Sequence, residues 1–116
     1  MQIDVTRDVF QLAQVFTISR GSRTQAEVLT VTLDGTAHGE CVPYARYGET
    51  LESVTAQIDG LPEDVTPGAL QELLPAGAAR NAVDCAFWDL AAKRAGMRVW
   101  DLLALQQPGP EITAYT

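Results

Sequence analysis

The sequence predicts an α+β domain, a meander of three antiparallel strands followed by a bundle of helices. Three observations carry this. Apolar and polar residues alternate through most of the first 42 positions. An Asp34-Gly35 pair sits between two such runs. From Leu51 onward the apolar spacing becomes helical, most clearly between Ala78 and Ala95. The length of 116 residues is one domain's worth of chain and enough for a single core. With 47% hydrophobic and 20% charged residues, the composition excludes disorder as the main state.

Ile3, Val5 and Val9 alternate with Gln2, Asp4, Thr6 and Asp8, the pattern of a half-buried strand that pauses over Gln11–Gln14 and resumes at Phe16 and Ile18. Residues 19–24 read as a polar break. Ala26–Leu33 is the second strand, with Leu29, Val31 and Leu33 on one side. Asp34-Gly35 then predicts a tight hairpin, because both central positions of such a turn need positive φ. Thr36–Val42 returns as the third strand, and Gly39 within it marks a bulge or a close backbone approach. Pro43 ends the sheet, and Tyr44–Glu49 form an irregular loop. Thr50 is placed to N-cap a helix with the stripe Leu51, Val54, Ile58, ending at Gly60. Pro67 opens a short helix that Pro75 closes. The helix over 78–95 has Ala79, Ala82, Val83, Ala86, Phe87, Leu90 and Ala91 as its apolar face, and Gly96 as its αL terminator. Val99–Leu105 predicts one more short helix. Pro108-Gly109-Pro110 is a stiff connector, and a new extended segment begins at Ile112.

A net charge of −7 argues against nucleic acid, whose phosphates require a basic surface. No run approaches the roughly 20 apolar residues that cross a bilayer. No basic start precedes an apolar stretch, so a cytoplasmic location is expected. Cys41 and Cys85 read as reduced thiols, with a disulfide the lesser option. One histidine and two distant cysteines do not make a zinc set.

The basic residues are unevenly placed. Of eight lysines and arginines, Arg20, Arg23 and Arg46 fall in the two glycine-containing loops that follow strands. A guanidinium fork binds carboxylate bidentately, so one reading is a pocket lip for an anionic small molecule. The other is solvated arginines paired with Glu27, Glu40 or Glu49. Tyr44 and Tyr47 flank Arg46, and either wall that pocket or anchor the loop. Asp84 and Asp89 do not share a helix face, whereas Asp89 and Lys93 form an i,i+4 pair. Trp88 and Trp100 read as packing groups. His38 has no nucleophile or ligand beside it in sequence. No nucleophile elbow, P-loop or dinucleotide fingerprint is present. The residues offer binding loops without a complete catalytic set.

Three stretches carry a family resemblance: Phe16-Thr-Ile-Ser-Arg-Gly-Ser-Arg23, Gly39-Glu-Cys-Val-Pro-Tyr-Ala-Arg-Tyr-Gly-Glu49, and Ala79-Arg-Asn-Ala-Val-Asp-Cys-Ala-Phe-Trp-Asp-Leu-Ala-Ala-Lys93. They resemble the N-terminal capping domain of the enolase superfamily, within its muconate-lactonising subgroup, and most of all dipeptide epimerases of the L-Ala-D/L-Glu type. The resemblance implies that residues 1–110 cap the mouth of a (β/α) barrel and that 111–116 begin its first strand. It makes Arg23 similar to the arginine that contacts a carboxylate of the dipeptide's acidic residue. It places Arg20, Tyr44, Arg46 and Tyr47 around the substrate. It implies a 1,1-proton transfer by two barrel lysines, with Mg²⁺ held by barrel carboxylates. This chain has a single lysine, Lys93, and is expected to be inactive alone. Its expected partners are an anionic dipeptide, its own barrel and, through uncovered apolar surface, a second copy. The alternatives are the cap of a muconate cycloisomerase or o-succinylbenzoate synthase, and a free-standing non-catalytic binding module.

Overall fold

A computed structural model describes residues 1–114. Strand β1 (Ile3–Ile18) pairs antiparallel with β2 (Gly21–Leu33), which pairs antiparallel with β3 (Ala37–Cys41), so β2 is central. The register sets Ile3 opposite Leu33, Val5 opposite Val31, Val31 opposite Gly39 and Leu29 opposite Cys41. Side chains alternate between faces, so this register collects Ile3, Val5, Leu29, Val31, Leu33, Ala37 and Cys41 on one face, where they join the core. Asp34 and Gly35 turn the chain with φ of 49° and 66°, both positive as the pair predicts.

The first hairpin is longer than the alternation indicates. β1 runs unbroken through the expected pause, with a register irregularity between Gln11 and Phe16, and β2 begins at Gly21 inside the expected polar break. Ladder hydrogen bonds do not require apolar side chains, which is why these polar stretches extend as strand. Past β3 the ribbon has only two strands. Phe10, Val15, Phe16 and Ile18 are exposed there, and so is Val9, which the alternation had placed in the half-buried set.

Helix α1 (Leu51–Asp59) starts in a reciprocal cap: Thr50 Oγ1 accepts from the Ser53 N–H, and Ser53 Oγ accepts from the Thr50 N–H, both at 3.0 Å. Helix α2 (Pro67–Leu73) is capped by Thr66, with Pro67 in its first turn. Helix α3 (Ala78–Ala95) lies across β3 and buries Ala79, Ala82, Val83, Ala86, Phe87 and Leu90. Ala92 is buried in place of the expected Ala91, on the side where the chain turns back at Gly96 and α4 packs against α3. Gly96 terminates the helix at φ 63°. Helix α4 (Val99–Leu102) stops short of Leu105, and Trp88 is exposed on α3 instead of packed.

At Gly39 the sheet meets the backbone of α3 directly: a Cβ there would lie 1.9 Å from the Ala82 carbonyl oxygen. Among the described residues no helix is long and apolar enough to cross a membrane. Residues 111–114 have no regular secondary structure, and Ile112 is fully exposed. The rest of the segment expected to open a barrel strand, Tyr115 and Thr116, lies outside the described residues.

Candidate functional site

The site begins where β3 ends. Cys41 is buried at the end of that strand, and Pro43 carries the chain out of the sheet into a 3₁₀ turn over Ala45–Tyr47. The turn closes on itself. The Tyr44 carbonyl accepts from the N–H groups of Tyr47 at 2.9 Å and Glu49 at 3.3 Å, and Gly48 at φ 74° donates to the Ala45 carbonyl. Glu49 then reaches in two directions: Oε2 accepts from the Tyr44 N–H at 3.3 Å and Oε1 from the Ala78 N–H, at the start of α3, at 2.8 Å. A concavity of about 750 Å³ opens between loop and helix, lined by Glu40, Cys41, Tyr44, Tyr47, Glu49 and Asn81 among others.

The far end of the β1/β2 ribbon meets this loop. The Arg23 guanidinium lies over the Tyr44 ring, 5.7 Å from its centroid. The Tyr44 and Tyr47 rings are 5.6 Å apart and inclined at 55°. Tyr44 is half-buried, whereas Tyr47 is 76% exposed. An arginine stacked on an aromatic face keeps its charge and its planar donors while losing rotamer freedom. Among the described residues Arg20, Arg23 and Arg46 form no ion pair. Two of the three expected carboxylate partners are otherwise engaged, Glu27 by Arg7 and Glu49 by two backbone N–H groups, while the exposed Glu40 pairs with no arginine among the described residues. The structure therefore joins Arg23, Tyr44 and Tyr47. Arg20, in the ribbon's turn, and Arg46, in the 3₁₀ turn, are exposed and have no hydrogen bond or ring contact to that group among the described residues.

The remaining candidates are structural. Burial, then the Glu49 and Glu40 carboxylates, push the Cys41 thiol up to about 11, so at neutral pH it is an unreactive thiol. Cys85 is exposed, and both cysteines are free. Lys93 donates to the Thr36 carbonyl at 2.7 Å and to Asp89 at 2.8 Å. Asp89 also accepts from the His38 N–H at 2.8 Å. The Lys93 hydrogen bond, then that of His38, hold the Asp89 carboxyl below its ordinary value. This clamp fastens α3 to the β2–β3 hairpin. The described residues do not fit a magnesium site: no three His, Cys, Asp or Glu side chains among them come together to hold a metal ion.

The sequence reading placed Glu49 only as a possible partner for an arginine and left Asn81 unremarked. A signal for Glu49 was available. α3 begins at Gly77 without an Asp, Asn, Ser or Thr cap and without an acid in its first turn, so an acceptor had to come from elsewhere.

Residues 1–104 match the family model described as mandelate racemase / muconate lactonizing enzyme, N-terminal domain. The chain is 46% identical over 123 aligned residues to the L-Ala-D/L-Glu epimerase of Escherichia coli strain K12, covering 98% of this chain and 38% of that protein. It is 44% identical over 85 residues to an N-acetyl-D-glutamate racemase of a Pseudoalteromonas species, covering 66% and 27% respectively. Among solved structures it resembles an enolase family member from Agrobacterium tumefaciens with homology to dipeptide epimerases, in a form with bound sodium and L-Ala-L-Glu. There the TM-score is 0.81 at 46% identity, over 91% of this chain and 34% of that one. The chain thus spans 27 to 38% of the length of these relatives. With its three-stranded meander and its helices in place, the chain belongs to the mandelate racemase / muconate lactonizing enzyme N-terminal domain family of the enolase superfamily.

Proposed function

We propose that this chain is the substrate-specificity cap of a Mg²⁺-dependent dipeptide epimerase whose guest carries a glutamate-like carboxylate. The observation that carries the reading is Arg23: a guanidinium without a carboxylate partner among the described residues, resting over the ring of Tyr44, a residue that lines an open concavity. A bidentate arginine–carboxylate pair sheltered from water contributes binding and orientation. Spent away from the reacting carbon, that binding energy serves the chemistry indirectly. Tyr44 and Tyr47 wall the guest and exclude water. Arg20 and Arg46, exposed in the two neighbouring turns, belong to the wider surroundings of the guest.

The proton transfer is assigned to a barrel domain that this domain would cap. Lys93 is committed to Thr36 and Asp89, so the 116 residues alone do not epimerise. The exposed Phe10, Phe16, Met97, Leu103 and Leu105 supply apolar surface for that barrel or for a second copy. Two free cysteines accord with a cytoplasmic protein.

The test is deuterium exchange at the α-carbon of L-Ala-L-Glu in D₂O with Mg²⁺. The full-length protein carrying this domain should exchange it, and the 116-residue chain should not. The glutamate racemase relative supports a second guest, an N-acylated glutamate, which presents the same side-chain carboxylate and belongs in the same assay. A full-length protein that leaves both compounds untouched and cycloisomerises muconate would overturn the epimerase reading.

A further inference from the structure

We infer that Glu49 is a positioning residue for substrate binding, a two-armed tie that holds the Tyr44–Tyr47 loop against the start of α3. The inference rests on the functional reading above for its consequence and on geometry alone for the tie. Oε1 accepts from Ala78 at 2.8 Å, where a helix would ordinarily present its own N-cap side chain. The cap position is Gly77, and a Cβ there would lie 2.8 Å from that same oxygen, so the carboxylate occupies the space a capping residue would need. Oε2 accepts from the Tyr44 N–H at 3.3 Å, while the Tyr44 carbonyl is held by the N–H groups of Tyr47 and Glu49. Tyr44 is therefore fixed on both sides of its peptide, and its ring is the surface on which Arg23 rests. A run of contacts leads from the longest helix, α3, through one carboxylate to the guanidinium that meets the guest. Glu49 touches no reacting atom. It sets where Tyr44 and Arg23 stand.

Two variants separate this role from simple helix capping. Glu49→Gln keeps one acceptor oxygen, which serves the shorter bond to Ala78, and turns its amide NH₂ toward the Tyr44 N–H, donor against donor. Glu49→Ala combined with Gly77→Asp removes both arms and returns an N-cap to α3 in the space left free. For Glu49→Gln and for the double variant the expected melting temperature is within about 3 °C of wild type. Amide exchange at Tyr44 and Tyr47 in the ligand-free protein should be about tenfold faster, as expected for the loss of one charge-assisted hydrogen bond. In the full-length protein the KM for L-Ala-L-Glu should rise about tenfold with kcat changed less than about threefold. Exchange and KM at wild-type levels in both variants overturn the inference, because Glu49 would then be a helix cap and nothing more. If wild-type full-length protein turns over no substrate, the functional reading fails separately. The exchange measurement then decides the tie by itself.

Discussion

Replacing Gly39 by alanine tests the seam on which the domain is built. The new Cβ would sit 1.9 Å from the Ala82 oxygen and 2.8 Å from the Ala86 nitrogen, against an ordinary contact of 3.4 Å or more. Both obstacles are helix backbone, so no side chain can swing aside. β3 and α3 must part by about 1.5 Å, which loosens Ala37 and Cys41 against Ala82, Val83 and Ala86. Inserting a methyl into a packed core costs about 1–3 kcal/mol, and the upper end applies where backbone must move. At roughly 4–8 °C per kcal/mol for a domain of this size, melting should fall by about 15 °C. Thermal melting followed by far-ultraviolet circular dichroism measures it. Gly68→Ala is the control, since nothing lies within 4 Å of a Cβ there. In α2 that same change should be neutral or stabilising by up to about 1 kcal/mol. A Gly39→Ala melting point within about 3 °C of wild type would show that the sheet and α3 are not in hard contact, and the reasoning from this seam would fail.

Three further outcomes are expected. Arg23→Met in the full-length protein should raise KM for an acidic dipeptide by about a hundredfold while leaving a neutral dipeptide unchanged, as steady-state kinetics on the pair would show. At pH 8 iodoacetamide should label Cys85 and spare Cys41, whose thiol is held up to about 11; mass spectrometry showing equal labelling would contradict that. Asp89 has its carboxyl lowered from the ordinary 3.8, so it stabilises the fold above that pH and loses the contribution as pH falls through its lower folded value. Urea unfolding of Asp89→Asn should accordingly show a flatter acid limb than wild type, and parallel limbs would refute the clamp.

Where local chemistry decides the structure, single residues were legible in the sequence. Asp34-Gly35, Thr50, Pro67 and Gly96 each act through their own backbone or the next few residues, and each stands where the spacing put it. Gly39 was legible as a close approach, though not against which partner. The ribbon was under-read because alternation tells which face a side chain takes, not whether another layer covers it; Val9 has the pattern and no cover. The arginines could be grouped by loop but not by contact. Arg23 reaches Tyr44 across 21 positions of chain, and Glu49 reaches Ala78 across 29, distances at which neither periodicity nor turn chemistry carries information.

The meeting of Arg23 and Tyr44 nevertheless follows from topology once the register is known. β2 is central and β3 pairs antiparallel with its carboxyl half, so β3 runs toward the amino half of β2 and ends with Cys41 opposite Leu29. The loop that leaves β3 therefore emerges alongside the stretch of β2 that leads back to Arg23. The same two elements thus have divided duties along their length. Their paired stretch holds Leu29, Val31, Ala37 and Cys41 in the core, while the outer end of β2 carries Arg23 and the loop after β3 carries Tyr44. Arg23 lies outside the buried cluster, and sites apart from one another contribute to stability nearly independently. The residues that choose the guest can change while the fold that presents them stays, which suits a domain similar both to an L-Ala-D/L-Glu epimerase and to an N-acetyl-D-glutamate racemase. Arg23→Met should accordingly move KM and leave the melting temperature where it was, whereas Gly39→Ala should lower the melting temperature first and disturb binding only because β3 carries Tyr44.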